Sequence, residues 1–275
     1  MKFILITNYN NEMELNSSIK NVMPLLKIRN DILIITVSNY NYKNDNVDYH
    51  INATNYKTNN YYIIGMQYIK SLNMYSEKII IFLDSDDLVY SNKLDVLKYE
   101  FDYSYIHNYL ALSDNSGILK TVKSYMSGLT INLNDYNLNF LSKFSIYGFD
   151  IILYLYTVEN KLKIKNYKKI LNIYMINYNS LTHSENFYKN VLNEYYKALY
   201  LFKNKKTLKW LKKAIYNLEL NVNYYNLNNI NFIDMLNYLK TLNLNIKNNT
   251  IKLIKIFNLL LPYKYKKLLF NKLKL

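Results

Sequence analysis

Lys78-Ile-Ile-Ile-Phe-Leu83, followed at once by Asp84-Ser85-Asp86-Asp87, is the stretch that decides how this chain folds. The run from Ile79 to Leu83 holds no polar residue. It therefore lacks the alternation of a half-solvated strand and predicts one covered on both faces, as in a parallel sheet. The same signal repeats outward from it. Phe3 to Ile6 is a short apolar run that stops at Thr7-Asn8-Tyr9-Asn10, a buried strand and its loop. Leu15, Ile19, Val22, Met23 and Leu26 then recur at helical spacing. Asp31 to Val37 predicts a second buried strand, closed by the polar stretch Ser38 to Asp48. Tyr61 to Ser71 predicts a helix with Ile64, Tyr68 and Leu72 on one face. Strand, helix, strand, helix, strand is the mark of an α/β fold, a mostly parallel sheet flanked by helices. Such sheets bind ligands outside the carboxyl ends of their strands, and Asp84 to Asp87 lie at such an end.

Downstream, Asn92 to Phe101 predicts a helix. Tyr103 to Leu112 and Gly117 to Val122 predict a hairpin around Asp114-Asn115-Ser116-Gly117, a good turn sequence. Phe149 to Val158 reads as an apolar, aromatic helix and Leu171 to Ile176 as a late strand. From Ser184 onward, strand-like runs give way to Lys-, Asn- and Leu-rich segments of helical period without a single glycine. The expected organisation is an α/β domain over 1–185 and a basic helical region over 186–275.

Of the 275 residues, half are hydrophobic, so a sizeable core can form and general disorder is excluded. The chain has no cysteine, which rules out disulfides, thiolate zinc sites and cysteine nucleophiles. The net charge of +15 comes almost wholly from lysine, Arg29 being the sole arginine. Such a balance suits nucleic acid or an anionic membrane. The lack of arginine, with its fork of donors for phosphate, disfavours nucleic acid. No stretch approaches the roughly 18–20 apolar residues of a membrane span, and the apolar run after Met1 is too short for a signal-peptide core. A cytoplasmic protein, peripheral on the membrane face, is the expectation.

Three carboxylates within four positions at the mouth of a buried strand repel one another unless a cation sits among them. Mg²⁺ or Mn²⁺ is the natural partner, being a hard ion that takes oxygen ligands and bridges diphosphates. The plainer alternative is that Asp86 and Asp87 cap a helix near Ser91 or stand solvated in a loop.

At this point the sequence resembles a family. Ile79 to Asp87 looks like the core motif of family 2 glycosyltransferases of the GT-A fold, a Rossmann-like architecture. Ile4-Leu-Ile-Thr-Asn-Tyr-Asn10 is similar to that family's first strand and donor-binding loop. Gly148-Phe149-Asp150, Lys163-Ile164 and Tyr174 to His183 resemble its acceptor side. The likeness spans about residues 1–185, in the family's order. It implies a metal-dependent, inverting transfer from a nucleotide-diphosphate sugar to the hydroxyl of a sugar or lipid-linked acceptor. It also implies roles: Tyr9 and Asn10 against the donor nucleotide, Asp84 at the ribose or metal waters, and Asp86 as the metal ligand. Asp87 becomes an additional ligand or its support, His183 a late metal ligand or diphosphate contact, and Asp150 the general base. Where the family sets an aspartate after its second strand, this chain offers Thr36, Val37 and Ser38, so Thr36 and Ser38 inherit the donor edge.

The tail is distinctive. Lys252, Lys255 and Asn258 recur every third residue beside an apolar face of Ile251, Ile254, Phe257 and Leu261, until Pro262 breaks the run. Such a segment lies on an anionic membrane or packs on its own protein with its lysines solvated. Two rival functions complete the reading. A nucleotidyltransferase of similar fold would want a Gly- and basic-rich phosphate loop after the first strand, and Thr7 to Asn16 has none. A lysine-rich binding module for membrane or nucleic acid leaves the acidic cluster without a role.

Overall fold

Lys2–Thr7 forms β1, the strand around which the sheet is laid, and all six of its residues are buried. A computed structural model of the chain describes residues 1–8, 11–26, 31–73, 75–90, 92–93, 102–114, 117–122, 126–175 and 186–225. The two faces of β1 meet different helices. Ile4 and Ile6 pack with Leu15, Ile19 and Val22 of α1 (Glu12–Leu26). Leu5 faces α2 (Tyr61–Ser71), where Gly65 leaves room for it. On the sheet edges of β1 lie β2 (Ile32–Ser38) and β4 (Ile79–Asp84), both parallel to it, and β3 (Tyr49–Asn52) extends the sheet beyond β2. The predicted strand–helix alternation is therefore present, with β3 added just after the polar stretch Ser38 to Asp48. That strand is short and only half-buried, so it carries no apolar run to announce it.

Past β4 the sheet changes character. Its remaining strands are β5 (Leu88–Val89), β6 (Tyr105–Asp114), β7 (Gly117–Val122), β8 (Leu129–Asn132) and β9 (Ile164–Met175). Their order is β3-β2-β1-β4-β8-β6-β9-β5, with β7 paired to β6. β8 runs antiparallel to both β4 and β6, while β9 runs parallel to β6. The β6–β7 hairpin matches its turn sequence. The late strand is twice as long as its apolar part suggests. Its first half, with exposed Asn166, Lys168 and Lys169, has the polarity of a surface segment. The helix expected over Asn92 to Phe101 falls largely on 94–101, outside the described residues.

Two helices carry the connection from β8 to β9: the short α3 (Leu138–Leu141) and α4 (Phe149–Glu159). Gly148 opens α4 at φ 64°, in the left-handed region that glycine enters without a Cβ penalty. Asn60 joins this segment to α2. Its Oδ1 accepts from Ile63 N–H at 3.3 Å, capping α2, while its Nδ2 donates to the carbonyls of Phe144 and Ser145 at 3.2 and 3.0 Å. One buried amide thus ties the start of α2 to the loop between α3 and α4.

The chain divides into two units, Met1–Ser180 and Leu181–Leu275. The boundary expected near 185 borders residues 176–185, which lie outside the described residues. In the second unit, α5 (Phe187–Leu201) and α6 (Lys205–Tyr225) pair through the edge contact of Tyr195 with Trp210 and a hydrogen bond from the Tyr196 hydroxyl to Glu219. The amphipathic tail expected over 250–275 also lies outside the described residues. Among those described, no helix is long and apolar enough to cross a membrane.

The approach of α2 to β1 yields a test. A Cβ on Gly65 would stand 2.4 Å from Leu5 Cδ1, in a core with no exposed surface at Leu5. Gly65→Val should destabilise the protein by about 1–3 kcal/mol through overpacking. Gly65→Ala should cost less, because better helix propensity offsets part of the strain. Denaturant unfolding of both variants checks the order.

Candidate functional site

β1 has β2, reached through α1, on one side and β4, reached through α2, on the other. In such sheets ligands bind at the carboxyl ends of the strands where the order reverses, here those of β1 and β4. Thr7 and Asp84 are register partners at those ends. Thr7 Oγ1 donates to Asp84 Oδ1 at 3.1 Å, and the Tyr62 hydroxyl, from the first turn of α2, donates to the same oxygen. The Asp84 N–H donates to Ser127 Oγ at 2.9 Å. The next residue is also held: Ser85 N–H donates to Thr7 O at 3.1 Å, and Asn8 Nδ2 donates to Ser85 Oγ at 2.6 Å. Asp86 follows these two anchored residues and stays partly exposed.

Asp150 reaches the same place from α4. Phe149 stacks on Tyr62 with ring centroids 6.0 Å apart and planes 2° from parallel. This contact sets Asp150 close enough for its charge to raise the pKa values of both Tyr62 and Asp84. Burial, and then Asp86, push Asp84 up to about 7. Burial pushes Asp150 up to about 6, against the opposing pull of the backbone N–H groups at the start of its helix. Of the carboxylates that the sequence singles out, Asp84 and Asp86 share one turn, and Asp150 lies near enough to Asp84 for its charge to act on it.

Asp87 differs from its neighbours. It is fully buried; Oδ1 accepts from Met175 N–H at 3.1 Å and Oδ2 has no hydrogen-bond partner. Burial and the two adjacent carboxylates hold its pKa well above the ordinary range. Asp87 Oδ2 is thus uncommitted but buried, whereas Asp86 is partly exposed. The carboxylates that fit a hard cation are Asp86 and Asp84, whose mutual repulsion such an ion would relieve. Among the described residues no three His, Asp or Glu side chains converge as a cage. One or two carboxylates completed by substrate phosphates is how Mg²⁺ is commonly held. Tyr9, Asn10 and His183 lie outside the described residues.

Thr36 and Ser38, at the end of β2, are fully buried. Thr36 Oγ1 shares a hydrogen bond of 2.9 Å with His50 Nδ1, and Ser38 Oγ donates to Tyr40 O at 2.8 Å. His50 Nε2 lies 2.9 Å from the same carbonyl, and burial lowers its pKa. These hydroxyls shape the loop carrying Tyr40, whose own hydroxyl donates to Asn8 Oδ1 at 2.7 Å. Asn8 and Tyr40, to which the motif reading gave no role, thereby link this edge to Ser85 of the acidic turn. Tyr62, Ser127 and Asn60 were also missed. Each is an ordinary residue locally, and only tertiary pairing gives it a role.

The raised carboxylates predict a pH dependence. Unfolded, Asp84 and Asp150 release their protons near about 4. Folded, they hold them to about 7 and about 6. Between those limits the folded state binds more protons, so their contribution to stability falls as pH rises. In EDTA, Asp150→Asn should unfold at the parental temperature near pH 4 and a few degrees above it beyond pH 6. A pH-independent difference in thermal unfolding would contradict this.

No protein-family profile matches the chain, and no curated protein matches it in sequence. Solved structures do match. The crystal structure of S. aureus TarS 1-349 in complex with UDP-GlcNAc is 11% identical at TM-score 0.51, over 82% of this chain and 73% of that one. The corresponding complex with UDP is 11% identical at TM-score 0.51, over 100% and 88%. TarS 1-349 alone is 12% identical at TM-score 0.51, over 100% and 85%. At such identity the likeness establishes architecture: this chain has a GT-A-like, glycosyltransferase-like α/β fold.

Proposed function

We propose that the protein is a metal-dependent inverting glycosyltransferase that moves a sugar from a nucleotide-diphosphate donor to an acceptor hydroxyl. The observation that carries this is the approach of Asp150 to Asp84, which begins the acidic turn at the carboxyl ends of β1 and β4. The TarS structures with UDP-GlcNAc and UDP support a nucleotide-sugar as the donor class.

The residues divide the work by chemistry. Asn8 and Tyr40 border the nucleotide edge of the site. Asp86, with Asp84, would hold Mg²⁺ or Mn²⁺, an ion that neutralises charge gathering on a departing diphosphate. Asp150 accepts the proton of the acceptor hydroxyl as its oxygen bonds to the anomeric carbon. The bond from that carbon to the diphosphate oxygen breaks, and its electron pair leaves with the nucleotide. A base with a pKa of about 6 is mostly ionised at neutral pH yet basic enough to take a proton. His183 remains a proposed diphosphate contact from the sequence resemblance.

Asp150→Asn should leave donor affinity nearly unchanged while transfer falls by roughly 10²–10⁴-fold, as for a lost general base. Asp86→Ala should bind a nucleoside diphosphate without responding to Mn²⁺. Single-turnover transfer and calorimetry read the two outcomes. Near-parental transfer by Asp150→Asn would reduce that residue to a helix-start acid.

An anionic surface is the proposed partner of the second unit. Lys205, Lys206, Lys209, Lys212 and Lys213 are exposed on the first half of α6, and no acidic residue occurs from 195 to 218. Trp210 lies at 39% exposure and Tyr200 at 79%, side chains suited to a lipid interface. Replacing these five lysines by glutamine should release the protein from phosphatidylserine vesicles at low salt, each being worth about 1 kcal/mol there. Parental protein that fails to co-sediment under those conditions refutes the partner.

A further inference from the structure

Lys93 is a fully buried charged group that the chemistry above leaves unused. It has no exposed surface, and neither do Asp87, Ser127 or Asn172 around it. Lys93 Nζ donates to Ser127 O at 2.8 Å and to Asn172 Oδ1 at 2.8 Å. Asn172, on β9, also accepts from Asn108 Nδ2 of β6 at 3.2 Å. Burial lowers Lys93 to about 7, partly offset by the nearby Asp87. Taking a lysine and an aspartate out of water costs several kcal/mol per ion, and apolar replacements of such groups are often neutral or stabilising. Fold stability therefore gives little reason for this cluster.

Its connections give a better one. Ser127 accepts from Lys93 through its carbonyl and from the Asp84 N–H through its hydroxyl. Lys93 also grips β9 near the end where Met175 N–H meets Asp87 Oδ1. The strand bearing the acidic turn, the turn of Met126–Gly128 and the end of β9 are thus pinned to one ammonium group. Resting on the function proposed above, we propose that Lys93 is a positioning residue for the donor site, acting through Ser127 to fix Asp84 and the turn bearing Asp86. It touches neither substrate nor metal. Groups that orient metal-binding side chains in this way commonly carry 10–100-fold of metal affinity or activity.

The test is a double-mutant cycle on the full chain. Lys93→Met and Ser127→Ala are made singly and together, with Lys93→Met/Asp87→Asn as the variant that leaves no unpaired buried charge. Binding of UDP, GDP, CDP and dTDP is measured by calorimetry with and without Mn²⁺, beside denaturant unfolding. The proposal expects Mn²⁺-dependent affinity to weaken about tenfold or more in each single variant. The Lys93→Met/Ser127→Ala pair should be no weaker than either alone, because the two act in series. Lys93→Met/Asp87→Asn should keep or exceed parental stability yet still bind weakly, a split that a merely structural lysine would not produce. Parental affinity in that stable variant, or additive losses in the cycle, overturns the assignment of Lys93 and leaves the glycosyltransferase reading standing. A parental protein that binds none of the four nucleotides with Mn²⁺ ends that reading, and this one with it.

Discussion

The parallel pairing of β1 with β4 is the constraint on which the rest of the molecule depends. Its register sets Thr7 beside Asp84, so the last hydrogen-bonded pair of the two strands is also the first pair of the site. Everything nearby is referred to that pair. Tyr62 reaches it from α2, Ser127 from the turn before β8, and Ser85 folds back onto the Thr7 carbonyl. A slip of one residue would turn every side chain of β4 to the opposite face, and the all-apolar run Ile79 to Leu83 offers little resistance to it. The polar contacts at the strand end supply the register that the run itself does not.

The site is held against its own electrostatics. Asp84, Asp87 and Asp150 all have raised pKa values, chiefly from burial, and Asp86 adds repulsion to Asp84 and Asp87. Only a well-packed frame keeps such groups in place, and aromatic contacts provide much of it here. Tyr62 stacks on Phe149 and meets Phe82 edge-on at 5.9 Å, so a single ring spans α2, β4 and α4. The chain is rich in tyrosine, and burying a tyrosine obliges its hydroxyl to find a partner. At Tyr62 that partner is Asp84, which turns a packing residue into one that orients a carboxylate.

Lysine is used in two opposite ways. On α6 the lysines are exposed and solvated, which costs nothing and gives the second unit its positive face. At Lys93 the same side chain is withdrawn entirely from water and gripped by a carbonyl and an amide oxygen. The ammonium group needs acceptors wherever it is buried, so its position reports where backbone and side-chain oxygens had to be drawn together.

The sequence by itself determined the strand–helix alternation through β4 and the acidic turn at its end, because long apolar runs and clustered carboxylates are local signals. Asp150 was legible through its place after Gly148 at the start of a helix and through resemblance, though nothing in the sequence places it against Asp84. Strands β3 and β8 and the polar half of β9 were illegible: they are short or solvent-facing, and β8 and β9 find hydrogen-bond partners far along the chain. Only the tertiary structure decided that Asp87 is fully buried while Asp86 stays partly exposed, since adjacent aspartates look alike until the backbone assigns each a direction. It alone also distinguished Lys93 from the other lysines and Tyr62 from the other tyrosines. Burial and partnership belong to the folded chain, and a residue in a biased composition carries no local mark of either.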